Sequence, residues 1–175
     1  MAVAVPPGSC ELNKALARDW ALQVKKPGAD DSEWIFARGL NKISVNVETS
    51  AVDSTDMESA GWESQVKTSR KLTINIGGAY ARVGDATDLE PSQKLIRDTG
   101  MELGAGGNVD VRVWRTDGTD EGWEATCTNV FTDDSGEVNG LRSWSAALQS
   151  SCAPNRIKPV QEGKDKEASV AADAA

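Results

Sequence analysis

In several short runs along the chain, apolar side chains recur at every second position, the spacing that puts them on one face of a β-sheet. Ile43, Val45 and Val47 alternate with Ser44, Asn46 and Glu48, and Leu72, Ile74 and Ile76 alternate with Thr73, Asn75 and Gly77. This predicts two antiparallel strands paired as a hairpin. Val109, Val111 and Val113 alternate with Asp110 and Arg112, Asp117-Gly118 supplies a turn, and Trp123 to Phe131 predicts the returning strand. A second turn at Asp133-Asp134-Ser135-Gly136 leads into Val138 to Leu148, the third strand of a meander. Nearer the start, Trp20 to Val24 and Trp34 to Leu40 predict a hairpin joined through Pro27-Gly28-Ala29-Asp30-Asp31. The count is about seven strands, with Trp20, Trp34, Trp123 and Trp144 assigned to the core.

Two segments depart from this period. Pro91 stands where a first-turn proline belongs, and Leu95, Ile96, Thr99 and Leu103 recur at helical spacing before the glycines at 104, 106 and 107, predicting one short amphipathic helix whose stripe covers a sheet face. Between Thr49 and Lys71 about twenty residues rich in Ser, Asp, Glu and Thr form a connection longer than compact domains usually tolerate without a role. Trp62 lies in its middle and is the candidate interface anchor; the competing reading folds that loop back on its own sheet.

A chain of 175 residues suits one domain. The expected organisation is an N-terminal arm over 1–19, a β domain over 20–150 containing the long loop 50–70, and a tail over 151–175. Past Cys152 large apolar residues nearly vanish, so the tail is either solvated or ordered only against a neighbour.

The formal net charge of -8 argues against tight binding of a nucleic-acid backbone. Residues 101–140 hold nine acids against Arg112 and Arg115, which reads either as turns kept soluble or as a functional acidic surface. No histidine is present, which removes Ser-His and Cys-His nucleophiles and histidine-ligated metals. Cys10, Cys127 and Cys152 are too widely spaced for a zinc motif and are expected as reduced thiols. The glycines at 104–107 lack dinucleotide-site spacing, and Asp117 to Glu121 departs from the EF-hand order, so no cofactor or metal is expected. No apolar run is long enough to span a bilayer and the start lacks a basic leader region, so folding in a cytoplasm is expected.

The segment from Gly39-Leu40 through Asp56-Met57-Glu58-Ser59-Ala60-Gly61-Trp62 to Val66-Lys67-Thr68-Ser69-Arg70-Lys71-Leu72-Thr73-Ile74-Asn75-Ile76-Gly77-Gly78 resembles the core of siphophage tail tube proteins. With the following helix and meander, the resemblance covers roughly residues 34–148. It implies a mainly β fold, a β-sandwich or half-barrel with one flanking helix. Its subunits would close into six-fold rings that stack into a hollow tube, a non-enzymatic virion part assembled in the bacterial cytoplasm. It further implies Asp56, Met57, Gly61 and Trp62 at the inter-ring contact and Glu48, Asp110 and Glu124 facing the lumen. Partners would be further copies, the tape measure, tail terminator and distal tail proteins, and duplex DNA in transit, with no membrane. The rival readings are the inner tube of a contractile tail or injection device, and a ligand-binding β-sandwich whose exposed tryptophans stack on sugar rings.

Overall fold

The alternating runs form a single antiparallel ladder. The computed structural model describes residues 19–57, 62–82, 87–134 and 140–161. Among the described residues the strands are β1 (Trp20–Lys25), β2 (Ile35–Phe36), β3 (Leu40–Asp53), β4 (Gln65–Ala79), β5 (Asn108–Arg115), β6 (Gly122–Asp134), β7 (Ser143–Ser150) and β8 (Asn155–Arg156), with one α-helix, α1 (Pro91–Met101), between β4 and β5. Their order across the sheet is β2-β1-β5-β6-β7-β4-β3, and β8 adds to β6. The predicted hairpin of β3 and β4 places Val45 opposite Ile74, and the β5-β6-β7 meander is present. Residues 1–18 of the N-terminal arm, Gly61, the turn at Ser135-Gly136 with Val138, and the tail beyond 161 lie outside the described residues.

This ladder must curl. Strands β2 and β3 stand at opposite ends of the order, yet only Ala37, Arg38 and Gly39 connect them. Six inter-strand steps in a flat sheet would separate the ends by roughly 29 Å, whereas the Cα-to-Cα steps from Phe36 to Leu40 reach at most about 14 Å. A half-barrel with continuous hydrogen bonding therefore describes the fold better than two separate sheets. Its inner face carries Leu22 and Val24, Ile74 and Ile76, Val109, Val111 and Val113, Cys127, and Trp144 with Leu148, all buried in one cluster. The outer face takes the alternate residues: Asp110, Arg112, Glu124, Asn75, Ser44.

The helix begins where the sequence says. Pro91 opens it, and the Glu90 carboxylate caps it by accepting from the backbone N–H groups of Ser92 and Gln93. Leu95 and Ile96 enter the core and Thr99 is buried, but the helix ends at Met101 and Leu103 is 91 % exposed, because the chain leaves the helix before the expected stripe reaches it. The buried Asn129 of β6 donates to Ile96 O (2.5 Å) and Thr99 Oγ1 (2.9 Å), holding α1 on the inner face.

Three other expectations change. The second strand of the early hairpin is only Ile35–Phe36, because the chain must then cross to start β3. Trp34 is not in the core: it lies half-buried with Arg112 at 4.2 Å and Lys25 at 4.8 Å from its ring. Residues 50–53 and 65–70 are paired strand rather than loop, since β3 and β4 continue past the body of the sheet.

Gln93 closes the structure at its crossing point. Fully inside, its Nε2 donates to Arg38 O (3.0 Å) and Ala79 O (3.2 Å), and its Oε1 accepts from Ala81 N–H (3.0 Å). One side chain thus ties the β2–β3 crossing to the end of β4. Gln93→Leu strands these backbone groups away from water at a cost of about 3 kcal/mol, and thermal denaturation should show Tm lower by on the order of 10 °C. A shift under about 2 °C would mean that water satisfies them equally well.

Candidate assembly surfaces

The outer half of the β3–β4 hairpin leaves the body as an arm. From Glu48 to Asp53 and from Gln65 to Arg70 every residue is exposed, including Val52 and Val66, which face each other across the ladder. Two strands with nothing on either face are marginal in water. Pairing nevertheless continues to the end: Ser54 N–H donates to Ser64 O (2.8 Å), and Asp53 Oδ1 accepts from Thr55 N–H (2.8 Å). The Thr55 donors hold the Asp53 carboxyl below its ordinary value. Beyond them Met57 is 99 % exposed and Trp62 80 % exposed. Of the expected inter-ring residues, Asp56, Met57 and Trp62 therefore sit together at the arm's tip, and Gly61 is outside the described residues.

Strand β3 also ends the sheet. Among the described residues its second edge meets no strand along Leu40–Asp53, and at the opposite end β2 covers only two residues of β1. Long free edges are templates for another chain.

The three expected lumen acids all occupy the outer face, but not one patch. Asp110 and Glu124 lie on adjacent strands, whereas Glu48 is on β3, with β7 and β4 between. Each is answered by a neighbour: Arg112 Nε donates to Glu124 Oε2 (2.5 Å), Lys71 Nζ lies 3.4 Å from Glu48, and Thr126 Oγ1 donates to Asp110 (2.6 Å). Beside Glu124, Asp31 accepts from Lys25 (3.2 Å) and Trp34 Nε1 (3.3 Å). These donors, Lys25 first, lower its carboxyl pKa. The face is mixed in charge rather than purely acidic.

Most tryptophan surfaces are already used. Arg115 stands over Trp20, Arg156 over Trp123, Phe36 packs edge-on against Trp114 (centroids 5.9 Å apart), and Trp144 is buried beside Phe131. Trp62 is the tryptophan left open, which disfavours a sugar-binding platform of stacked rings. Trp114 and Arg156 carry no sequence signal: Trp114 breaks the alternation of β5 by being buried on the outer face, and Arg156 gains its position through the long-range pairing of β8 and its stacking on Trp123. Among the described residues no cluster of acids and cysteines could hold a metal ion, and no helix is long and apolar enough to cross a membrane.

No family model and no curated protein matches the sequence. Solved structures do match. A chain of the virion of a native gene transfer agent particle aligns with TM-score 0.60 at 16 % identity, covering 82 % of this chain and 99 % of that one. A chain of the tail of an empty gene transfer agent particle with C6 symmetry gives 0.60 at 19 %, again covering 82 % and 99 %. The SPP1 tail tube gives 0.63 at 13 % identity, covering 87 % of this chain and 84 % of that one. The chain has the tail-tube fold. A tail-tube fold gives the mainly β ladder with one helix a known architectural parallel, and the arm and free edge are the parts of this tail-tube fold left without partners inside the subunit.

Proposed function

We propose that this protein is the repeating subunit of a virion tail tube, a structural rather than catalytic role. Copies join side by side into six-fold rings through their sheet edges, rings stack through the β3–β4 arm, and the channel conducts duplex DNA. The tape measure, terminator and distal tail proteins are the further partners of that role. The observation that carries the reading is the arm: a paired hairpin exposed on every side, ending in Met57 and Trp62, is a costly thing to keep in water unless another copy covers it. The C6 symmetry of the gene transfer agent tail supports the ring number. Negative-stain imaging of the concentrated protein tests it: hollow tubes with six-fold end views are expected, and dispersed monomers at all concentrations, even with tail-initiating proteins added, would overturn it.

The mixed outer face suits a channel in a particular way. Unpaired arginine and lysine would hold phosphate, so Glu124 and Glu48 serve by occupying Arg112 and Lys71. In assembled tubes, Glu124→Lys or Glu48→Lys should retain DNA at low salt, with retention falling steeply as salt rises. Because the two acids lie on different flanks, the substitution that acts identifies the flank lining the channel. If neither tube holds more DNA than the parent, these acids do not face it.

A further inference from the structure

At the root of the arm the inner face opens into a cleft of about 570 Å³. Its apolar floor is Val47, Leu72 and Trp123, and the chain after β7, with Cys152, Ala153 and Pro154, forms one wall. Three cations, Arg70, Lys71 and Arg156, stand at its rim. Lys71 is engaged by Glu48 and Gln149, whereas Arg70 and Arg156 have no carboxylate within ion-pair distance among the described residues. Arg156 is held in place by stacking 4.9 Å above Trp123 and by the β8–β6 pairing of Arg156 with Trp123.

The tip of the arm has the opposite character. Asp53, Asp56 and Glu63 lie close in sequence to exposed Met57 and Trp62, and no lysine or arginine occurs between residues 53 and 63. Resting on the tube reading above, we infer that the arm tip of one copy docks in the root cleft of another, Met57 and Trp62 covering the apolar floor and the carboxylates meeting Arg70 and Arg156. Cation and acid belong to different parts of the subunit, so the contact is head-to-tail and repeats without closing. From Val47 to Asp53 the arm extends roughly 20 Å, and the tip adds a few residues more. One copy therefore reaches the root of a copy displaced by that length along the arm, which is the geometry of stacking rather than of a ring.

The cleft contains its own probe. Cys152 is exposed at its wall, while Cys127 is buried and burial pushes its thiol up to about 12, leaving it protonated and inert. With Cys10→Ser throughout, Met57→Cys would bring a second thiol to Cys152 across the contact. Diamide, which takes up the two electrons and two protons released as the S–S bond forms, should convert tubes into a ladder of covalent multimers on a non-reducing gel, and adding Cys152→Ser should abolish the ladder. Tubes that form but yield only monomers overturn the docking and leave the tube reading standing; a parent protein that forms no tubes overturns both. Should the cysteine variant itself fail to assemble, exchanged charges decide. Arg156→Glu is expected to raise the critical concentration for tubes about ten-fold and Glu63→Arg in the same chain to recover most of that. A double variant no better than the single one overturns the inference.

Discussion

Trp62→Ala is expected to leave a folded subunit that forms no tubes at concentrations where, on the proposed function, the parent would. The side chain is 80 % exposed in the isolated subunit, so its removal changes folding stability by no more than ~0.5 kcal/mol. In an assembled contact the same side chain would be a buried aromatic anchor, and truncating such an anchor costs about 2 kcal/mol or more. That corresponds to a rise of about 30-fold in the critical concentration. The split between the two measurements is the informative part: an unchanged melting curve with lost tubes assigns Trp62 to the interface. Equal tube yield would remove it from the contact, and a lowered Tm would mean that the ring packs on its own subunit.

The second large effect concerns closure of the half-barrel. Gly78→Val should prevent native folding. A Cβ at Gly78 would lie 2.3 Å from the carbonyl oxygen of Gly39 and 3.1 Å from its carbonyl carbon, backbone that cannot swing aside. Gly39 itself has φ 75, which favours glycine, and it ends the three-residue crossing that joins the two ends of the sheet. Moving that strand away from β4 would also pull Arg38 O off Gln93. The loss should exceed about 4 kcal/mol, visible as a non-cooperative melt and collapsed near-ultraviolet dichroism. A cooperative transition within a few degrees of the parent would show that the crossing has room to give.

What could be read from the sequence was local. The strands over 43–47, 72–76 and 109–113 announce themselves because one face is dry and the other wet. Gly28 and Gly118 mark turns through positive φ, and Pro91 marks a helix start. The arm looks like loop in the sequence for an equally physical reason: with water on both faces, residues 50–53 and 65–70 have no side to keep apolar, so alternation fades although the ladder persists. Curling of the ladder, the buried bridging by Gln93 and the covering of Trp34 by Arg112 and Lys25 depend on residues distant in the chain, and no short window contains them. Of the candidate site, the tip was legible from its tryptophan in a polar stretch, whereas the cleft is assembled from β3, β4, β6 and the segment after β7.

The pairing of Leu22 with Val113 sets a timetable for the newborn chain. On a ribosome β1 emerges before the other described strands, yet its ladder neighbour β5 is translated only after the β3–β4 hairpin and α1 have already appeared. The hairpin and the later meander can each form from adjacent residues, while the first strand must wait for a distant mate. Closure of the curled sheet is thus delayed until most of the polypeptide has been made, and the first strand is expected to dock late.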